Sequence, residues 1–407
     1  MNKALDKILC IPLQCTGCMA CVNSCRHQAI TVSTDEKGFY RPSTNEDKCI
    51  NCGVCTDVCP VLQTDSLFSP IISTYACWNK DVQIRRNSSS GGLFSAIAHS
   101  IIQKGGIVYG VKLGPEMEAV VSSSDIEGDI KPFMGSKYIQ CHIYSHTFRD
   151  VKKTLDAGRQ VLYTGTPCQI AGLKKFLRKE YDNLLTMDFL CHGVPSPLLF
   201  KEYIKWIENR YRKKIINFQF RDKKRSWHLF NTLIKFDDGT YCEINRDNDC
   251  FYYLFLNNFT LQNSCFSCLY ARPERVSDIT MADYWININQ MKDDDKGISL
   301  SIINSNKGKK IFEQCKDAIQ YQPLNREEII EKYHYLKYPS QQPDLYQSFW
   351  EDYKKFGLAV LFSQYVKKEW IPGNFLIAHS IIRHGSFTHR LINKLYYYYK
   401  KIWLQKK

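Results

Sequence analysis

Long apolar runs are missing from this sequence. No stretch approaches the roughly 18–20 residues that a membrane-spanning helix requires, so a transmembrane protein is not expected. The opening MNKALDKILCIPLQC lacks the basic head, long apolar stretch and small-residue cleavage site of a secretory signal, and the expected location is cytoplasmic. Acidic residues are absent after Glu369, while HRLINKLYYYYKKIWLQKK closes the sequence, so the basic excess behind the formal charge of +14 is uneven. That distribution argues against a nucleic-acid binder, because the interleaved aromatic and basic residues sit at one terminus and no recognition fold accompanies them. Such a tail suits an acidic partner surface or a peripheral membrane contact. A solvated terminal helix suits it equally, and no membrane role is assigned.

Cysteine, by contrast, is plentiful, with eighteen in 407 residues. In a reducing compartment thiols stay free, and clustered cysteines read as metal ligands before disulfides. Eight of them form two runs of one spacing, C-x-x-C-x-x-C-x-x-x-C: CTGCMACVNSC at 15–25 and CINCGVCTDVC at 49–59, the second followed by Pro60. This is the bacterial ferredoxin spacing, in which the fourth cysteine serves the other cluster. Two intervening residues let three thiolates of a tight loop converge on one cuboidal cluster, and the fourth turns toward the neighbour. Cys15, Cys18, Cys21 and Cys59 are therefore expected to hold one 4Fe-4S cluster, and Cys49, Cys52, Cys55 and Cys25 the other. Zinc competes, since paired C-x-x-C elements also build four-thiolate sites, but it leaves the third and fourth cysteine of each run unexplained. Arg26 follows the first run where Pro60 follows the second, a change expected to alter the turn and not the ligand count.

Hydrophobic residues at 44% and aromatics at 13% suit a folded chain of two or three domains. After residue 60 the pattern changes. DSLFSPIISTYACWNKDVQIRRNSSSGG reads as a linker strand entering a larger unit. Short β-rich runs follow (GGIVYGVKL, RQVLYTG, NLLTMDFLC, INFQFRD, NTLIKFDDGTYCEI), mixed with helical stretches such as GGLFSAIAHSIIQKG and PSPLLFKEYIKWIENRYRKK. The serines before Gly91 are expected to cap one helix, and Pro195 to Pro197 to open another. The fold class expected is α+β: a dicluster ferredoxin-like domain over 1–65, a mixed α/β body over 66–150 and 151–325, and a basic helical extension over 326–407. Cys168, Cys191, Cys265 and Cys268 number the ligands of one more cubane cluster. Spacing alone does not select them, because Cys10, Cys77, Cys141, Cys242, Cys250 and Cys315 are also available and buried free cysteine is commonplace.

The stretches SSSGGLFSAI, GSKYIQ, GTPCQIAGLK, DFLCHGVPSP, FRDKKRSW, CFSCLYA and SDITMADYW, taken in order, resemble the coenzyme F420 hydrogenase/dehydrogenase beta-subunit family, here preceded by a dicluster ferredoxin domain. With the two cysteine runs, the resemblance covers about two thirds of the chain. It implies a flavoprotein that passes electrons between iron-sulfur clusters and FAD, and onward to a deazaflavin or, in other relatives, chlorophyll-type substrates. The substrate itself is not specified by the sequence. A ferredoxin or another redox protein is the implied electron partner. The alternative is an electron-transfer subunit feeding a separate catalytic partner, and a third reading makes the cysteine sites structural.

Carried onto this chain, the resemblance implies a third cluster on Cys168, Cys191, Cys265 and Cys268, with Ser90, Gly91 and Gly92 in the flavin pocket. Glycines before a helix let backbone N–H groups approach a flat ring or phosphate, although a plain helix cap uses the same residues. Lys137 and Tyr138 are expected to supply a positive charge near the flavin and a ring wall, against the plain alternative of a surface lysine and a core tyrosine. Thr164, Gly165 and Thr166 suit FAD phosphate or ribose, or an ordinary strand-to-helix turn. Arg221 and Lys223 suit phosphate oxygens or solvent. His192 is the candidate proton donor, with a structural hydrogen bond as the competing role. Asp283 is expected to orient flavin or substrate; Ala282 stands where the family usually has glycine, and Trp285 is expected in the core.

Overall fold

The computed structural model describes residues 10, 13–64, 67–286, 291 and 293–366. The basic aromatic tail lies outside the described residues, as does the role suggested for it.

In the N-terminal unit, α1 (Ala20–Ser24) belongs to the first cysteine run and α2 (Val54–Asp57) to the second. Between them lies an antiparallel hairpin, β1 (Ile30–Thr34) and β2 (Tyr40–Thr44). Gly17 takes left-handed backbone, φ 70°, and an added Cβ there would stand 2.4 Å from Gln140 Nε2 and 2.9 Å from Tyr40 O. Only glycine serves such a position, because the first cysteine loop is pressed directly against the body.

The body begins with β3 (Ser73–Asn79), α3 (Val82–Asn87), α4 (Leu93–Gln103), β4 (Ile107–Leu113), β5 (Ala119–Ser124) and α5 (Thr147–Asp156). It continues through β6 (Val161–Thr164), α6 (Pro167–Leu177), β7 (Leu184–Phe189), α7 (Pro197–Tyr211), β8 (Ile215–Asp222), β9 (Asn231–Phe236), β10 (Tyr241–Asn245) and α8 (Cys250–Leu256). It closes with β11 (Ile279–Asp283), β12 (Ser299–Ile303), α9 (Asn306–Gln314), β13 (Ile319–Leu324), α10 (Arg326–Lys332), α11 (Tyr346–Phe356) and α12 (Leu358–Tyr365).

Eight strands make one mixed sheet in the order β13-β3-β12-β11-β7-β6-β4-β5. Strands β4, β6, β7 and β11 run parallel at its centre, and β6 and β7 are apolar and buried almost throughout, as strands covered on both faces must be. The stretch read from sequence as a linker supplies β3, which lies inside the sheet between β13 and β12. The sheet draws strands from both sides of residue 150. A second, three-stranded antiparallel sheet, β10-β9-β8, packs through Phe218 and Phe220 onto Phe200 of α7.

Local signals hold with one correction. Ser196 caps α7, accepting from Leu199 N at 3.3 Å, with Pro197 in the first turn. The serines before Gly91 do not cap α4: its N-cap is Gly92 at φ 89°, while Ser88 Oγ donates back to Ile84 O. Polar side chains dock the N-terminal unit on the body. Gln140 accepts from Tyr40 N at 2.7 Å, and the Asn23 amide reaches Tyr144 O and Phe148 N. Helix α11 completes the clamp, with Trp350 against Phe39, and the Lys37 ammonium sits 4.5 Å over the Tyr346 ring.

Candidate functional site

The parallel strands end on one edge, where an open α/β sheet offers a crevice beyond its carboxyl ends. The Thr164–Thr166 turn follows β6, Cys191 and His192 follow β7, and Asp283 ends β11. Cys168 sits in the first turn of α6, fixed by Pro167 and by the Gln169 side chain, which accepts from Thr166 N at 3.0 Å. The Cys191 loop is zipped to the segment bearing Cys265 and Cys268 by Gln262 N to Val194 O at 3.1 Å and Ser196 N to Thr260 O at 2.9 Å. Cys168, Cys191, Cys265 and Cys268 thereby line one cavity of about 260 Å³. Burial pushes the Cys168 thiol up to about 11 and that of Cys265 up to about 12, so ligation there must displace protons.

Of the N-terminal thiols, Cys15, Cys18, Cys21 and Cys59 lie within electrostatic reach of one another. Cys10, which the spacing left out, stands beside Cys15 and Cys59, and the three side chains interact. In the second set Cys52 and Cys55 face each other electrostatically, Cys25 Sγ accepts from Ala29 N, and the Cys49 thiol reaches Asn51 Oδ1. Among the described residues no group of three or more His, Cys, Asp or Glu closes on a single-ion site. The two halves touch at α6: a Cβ on Gly172 would stand 2.8 Å from Cys18 Cβ and 2.9 Å from its Sγ.

A larger cavity of about 670 Å³ shares Thr16, Cys168, His192, Gly193 and Val194 with the smaller one. Its walls include Ser90, Gly92, Lys137, Tyr138, Thr164, Gly165, Thr166, Arg221 and Asp283. Arg221 is the cation that stays available. Its Nη1 reaches Asp283 Oδ2 at 2.6 Å and the guanidinium lies 4.5 Å over Phe230, yet Nε and Nη2 have no partner among the described residues although the side chain is only 6% exposed. Burial opposes its charge, and the neighbouring Asp283 carboxylate more than restores it. Free, buried, charged donors facing a cavity are what an anionic group needs.

Residues 158–327 match the family model for the C terminus of the coenzyme F420 hydrogenase/dehydrogenase beta subunit, and residues 14–62 match the 4Fe-4S dicluster domain. The chain thus carries the C-terminal domain of the coenzyme F420 hydrogenase/dehydrogenase beta subunit over residues 158–327, behind a 4Fe-4S dicluster domain. Its N-terminal cysteine runs are a 4Fe-4S dicluster domain, which sets zinc aside there. The ferredoxin-type protein NapF of Escherichia coli (strain K12) is 36% identical over 52 residues, 13% of this chain and 32% of that protein. The chain thus spans about a third of that relative. An uncharacterized ferredoxin, MJ0199, of Methanocaldococcus jannaschii is 37% identical over 60 residues, 15% of this chain and 86% of that one. A chain of the xenon-derivatised F420-reducing [NiFe] hydrogenase complex from Methanosarcina barkeri aligns at 15% identity and a TM-score of 0.44, over 72% of this chain and 96% of that one.

Around this chamber several expected roles change. Lys137 lines the cavity, but its Nζ donates to Pro132 O, Met134 O and Gly135 O at 2.6, 2.9 and 3.1 Å, which occupies all three donors of an ammonium. Burial pulls its pKa down to about 7. Lys223 does not line the cavity; it ties Ser90 O to Lys296 O as a strut. Gly91 does not line it either, since a Cβ there would meet Cys77 O at 2.4 Å and Ser299 N at 2.7 Å. The Thr164 hydroxyl is spent on Tyr109 O and that of Thr166 on Cys168 Sγ, leaving backbone to face the cavity.

His192 has both ring nitrogens engaged. Phe255 O accepts from Nε2 at 3.2 Å, and Nδ1 pairs with the Tyr335 hydroxyl. Burial lowers its pKa, and both nitrogens serve the structural hydrogen bonds that were the competing role. Tyr138 lines the cavity and stacks 5.0 Å from Phe255. Trp285, expected in the core, is 41% exposed at the cavity, stacked 4.0 Å from the fully buried Trp227. Its exposure was not readable from sequence, because burial of one tryptophan of the pair is set by a contact across 58 residues.

Proposed function

We propose that the chain is an iron-sulfur flavoprotein oxidoreductase that takes single electrons from a ferredoxin or another redox protein and delivers pairs to a small-molecule substrate, by hydride transfer. The observation that carries this reading is the shared wall of the two cavities, where Cys168 belongs both to the four-thiol site and to the larger chamber. Four thiols line the smaller cavity, the ligand number of a cubane cluster, which makes Cys168, Cys191, Cys265 and Cys268 the ligands of a third one. The chamber falls within the size range of cofactor sites and offers a glycine, an aromatic wall and a free guanidinium. Those features fit FAD, with Arg221 toward phosphate, Gly92 and the Thr164–Thr166 backbone toward the dinucleotide, and Tyr138 beside the ring. Bound flavin would supply the conversion between one-electron and two-electron transfer.

The chain's own residues do the positioning. Asp283 orients Arg221, Lys223 holds the Ser90 turn, and Lys137 pins the 132–135 loop that borders the chamber. His192 and Tyr335 brace the Cys191 loop, helped by Ser340, whose hydroxyl donates to His192 O. One observation favours the second reading, an electron-transfer subunit serving a separate catalytic partner. Phe189, Leu256 and Trp285 stand exposed at the chamber, an apolar rim suited to a covering surface.

Anaerobic purification of the full chain tests the proposal. Expected are about twelve iron atoms per chain, four for each of three clusters, matching acid-labile sulfide, one FAD, and reduction of the flavin by a reduced ferredoxin. Absence of flavin after reconstitution with FAD overturns the oxidoreductase reading. Flavin reduction without turnover of any small acceptor favours the subunit reading.

A further inference from the structure

Tyr270 sits at the seam between the N-terminal unit and the body. It follows Cys268 by two residues and is 4% exposed. Its hydroxyl is buried without a hydrogen-bond partner among the described residues, and it lines the smaller cavity together with Gln14, Thr16 and Val61 of the N-terminal unit. Its strongest electrostatic neighbours come from both cysteine sets: Cys168 and Cys268 of the body, Cys18 and Cys59 of the dicluster unit. The residue is held from behind. Its carbonyl accepts from Arg275 Nη1 at 2.8 Å, and its ring packs on Phe68 at 6.0 Å.

A buried hydroxyl without an acceptor is costly and calls for an explanation. Here the neighbours rich in electrons are cysteine sulfurs, which become strong acceptors as thiolates. On the opposite side of the same seam Gly172 lets α6 approach Cys18 with no side chain between them, one helical turn beyond Cys168. Gly172 and Tyr270 thus both lie where the two sets of thiols approach each other.

We propose that Tyr270 marks the crossing point for electrons between the dicluster unit and the body, with its O–H donated to sulfur at the Cys168 site. The inference rests on the third-cluster reading. It makes Cys15, Cys18, Cys21 and Cys59 the set that communicates with the body, and Cys25, Cys49, Cys52 and Cys55 the outer set that receives electrons first. With both clusters bound, each crossing would oxidise the inner dicluster site by one electron and reduce the body site by one; no bond would form or break, and the tyrosine proton would stay on oxygen. A hydrogen bond to sulfur stabilises the more negative, reduced state and so raises the reduction potential. Tyr270 is a tuning and positioning residue in this scheme.

The test uses the full chain, reduced stepwise with dithionite and followed by electron paramagnetic resonance. Tyr270→Phe is expected to keep its iron, about twelve atoms for three clusters, and to shift the midpoint of the body cluster to a more negative potential. Gly172→Val is expected to weaken or abolish the spin–spin coupling between the inner dicluster signal and the body signal. An unchanged body-cluster potential in Tyr270→Phe at full iron content overturns the proposal, as does coupling that survives intact in Gly172→Val. Wild-type protein that reconstitutes to only about eight iron atoms, the content of two clusters, instead removes the third-cluster reading on which the proposal stands.

Discussion

Arg275 and Asp188 form an ion pair that solvent does not reach: Nη2 stands 3.3 Å from Oδ2, with side-chain exposures of 1% and 0%. The guanidinium also donates to Tyr270 O, Arg272 O and Thr280 Oγ1, and Thr280 in turn donates to Asp188. Backbone hydrogen bonds join Arg275 to Ser69 in both directions. The pair therefore fastens three things at once: the segment bearing Cys268, the end of β7 that leads to Cys191, and the chain leaving the dicluster unit.

Breaking such a pair from one side leaves an uncompensated buried charge, at a cost of about 3–5 kcal/mol. Arg275→Met is expected to lower the denaturation midpoint accordingly and to lose iron from the body site while the dicluster iron remains. The double change Arg275→Met with Asp188→Leu is expected to recover part of the stability, because no lone charge is left. Chemical denaturation and iron analysis on the three proteins measure both effects.

The sequence made the dicluster site and most strands legible, because spacing and alternation are local. The eleven-residue cysteine runs carry their own geometry, and VLYT or LLTMDF announces a strand by itself. What stayed hidden depends on contacts between distant residues. Lys137 looks like Arg221 as a charge in the sequence, yet three carbonyls of its own loop consume one and a lone carboxylate leaves the other half free. Gly91 and Gly92 are adjacent letters, but the first is pressed on β3 and β12 while the second opens on the chamber. Tyr270 gave no signal, since only the docking of two units shows a hydroxyl set between two groups of thiols.

Replacing Cys265 and Cys268 together by serine is expected to remove about four iron atoms per chain, one cluster, with dicluster iron retained. Serine is close in size, so the segment joined to the Cys191 loop by Gln262 N to Val194 O and Ser196 N to Thr260 O should stay folded. Iron and sulfide determination decides it: unchanged iron per chain removes the third site.

The two glycines separate a folding effect from a binding one. Gly91→Ala places a Cβ 2.4 Å from Cys77 O and 2.7 Å from Ser299 N, backbone that cannot yield without shifting the sheet, and is expected to destabilise the chain by about 1–3 kcal/mol as overpacking does. Gly92→Ala meets only Asn79 Cβ at 3.2 Å and Ser88 Oγ at 3.3 Å, but at φ 89°; its turn must shift, and flavin content should fall more than stability. Thermal melts paired with FAD quantification on each variant discriminate the two.

Arg221 and Lys137 provide the sharpest comparison at the chamber, because both are basic side chains in its wall and only one has donors to spare. If an anionic group of the cofactor is recognised there, Arg221→Met removes charged hydrogen bonds worth about 1.5–3 kcal/mol, which corresponds to a loss of FAD affinity of about tenfold to more than a hundredfold. It also leaves Asp283 without its cation, so Arg221→Lys is the companion: it keeps the charge beside Asp283 but not the fork of donors, and should recover folding more than binding. Lys137→Met is expected to behave in the opposite way. Its ammonium is bound to carbonyls of residues 132, 134 and 135, so its loss should loosen that loop and lower stability while FAD affinity changes by less than about threefold, within the spread of an indirect effect. Titration of deflavinated protein with FAD, alongside denaturation of each variant, reads both quantities; equal losses of affinity in Arg221→Met and Lys137→Met contradict the assignment of the free guanidinium as the anion contact.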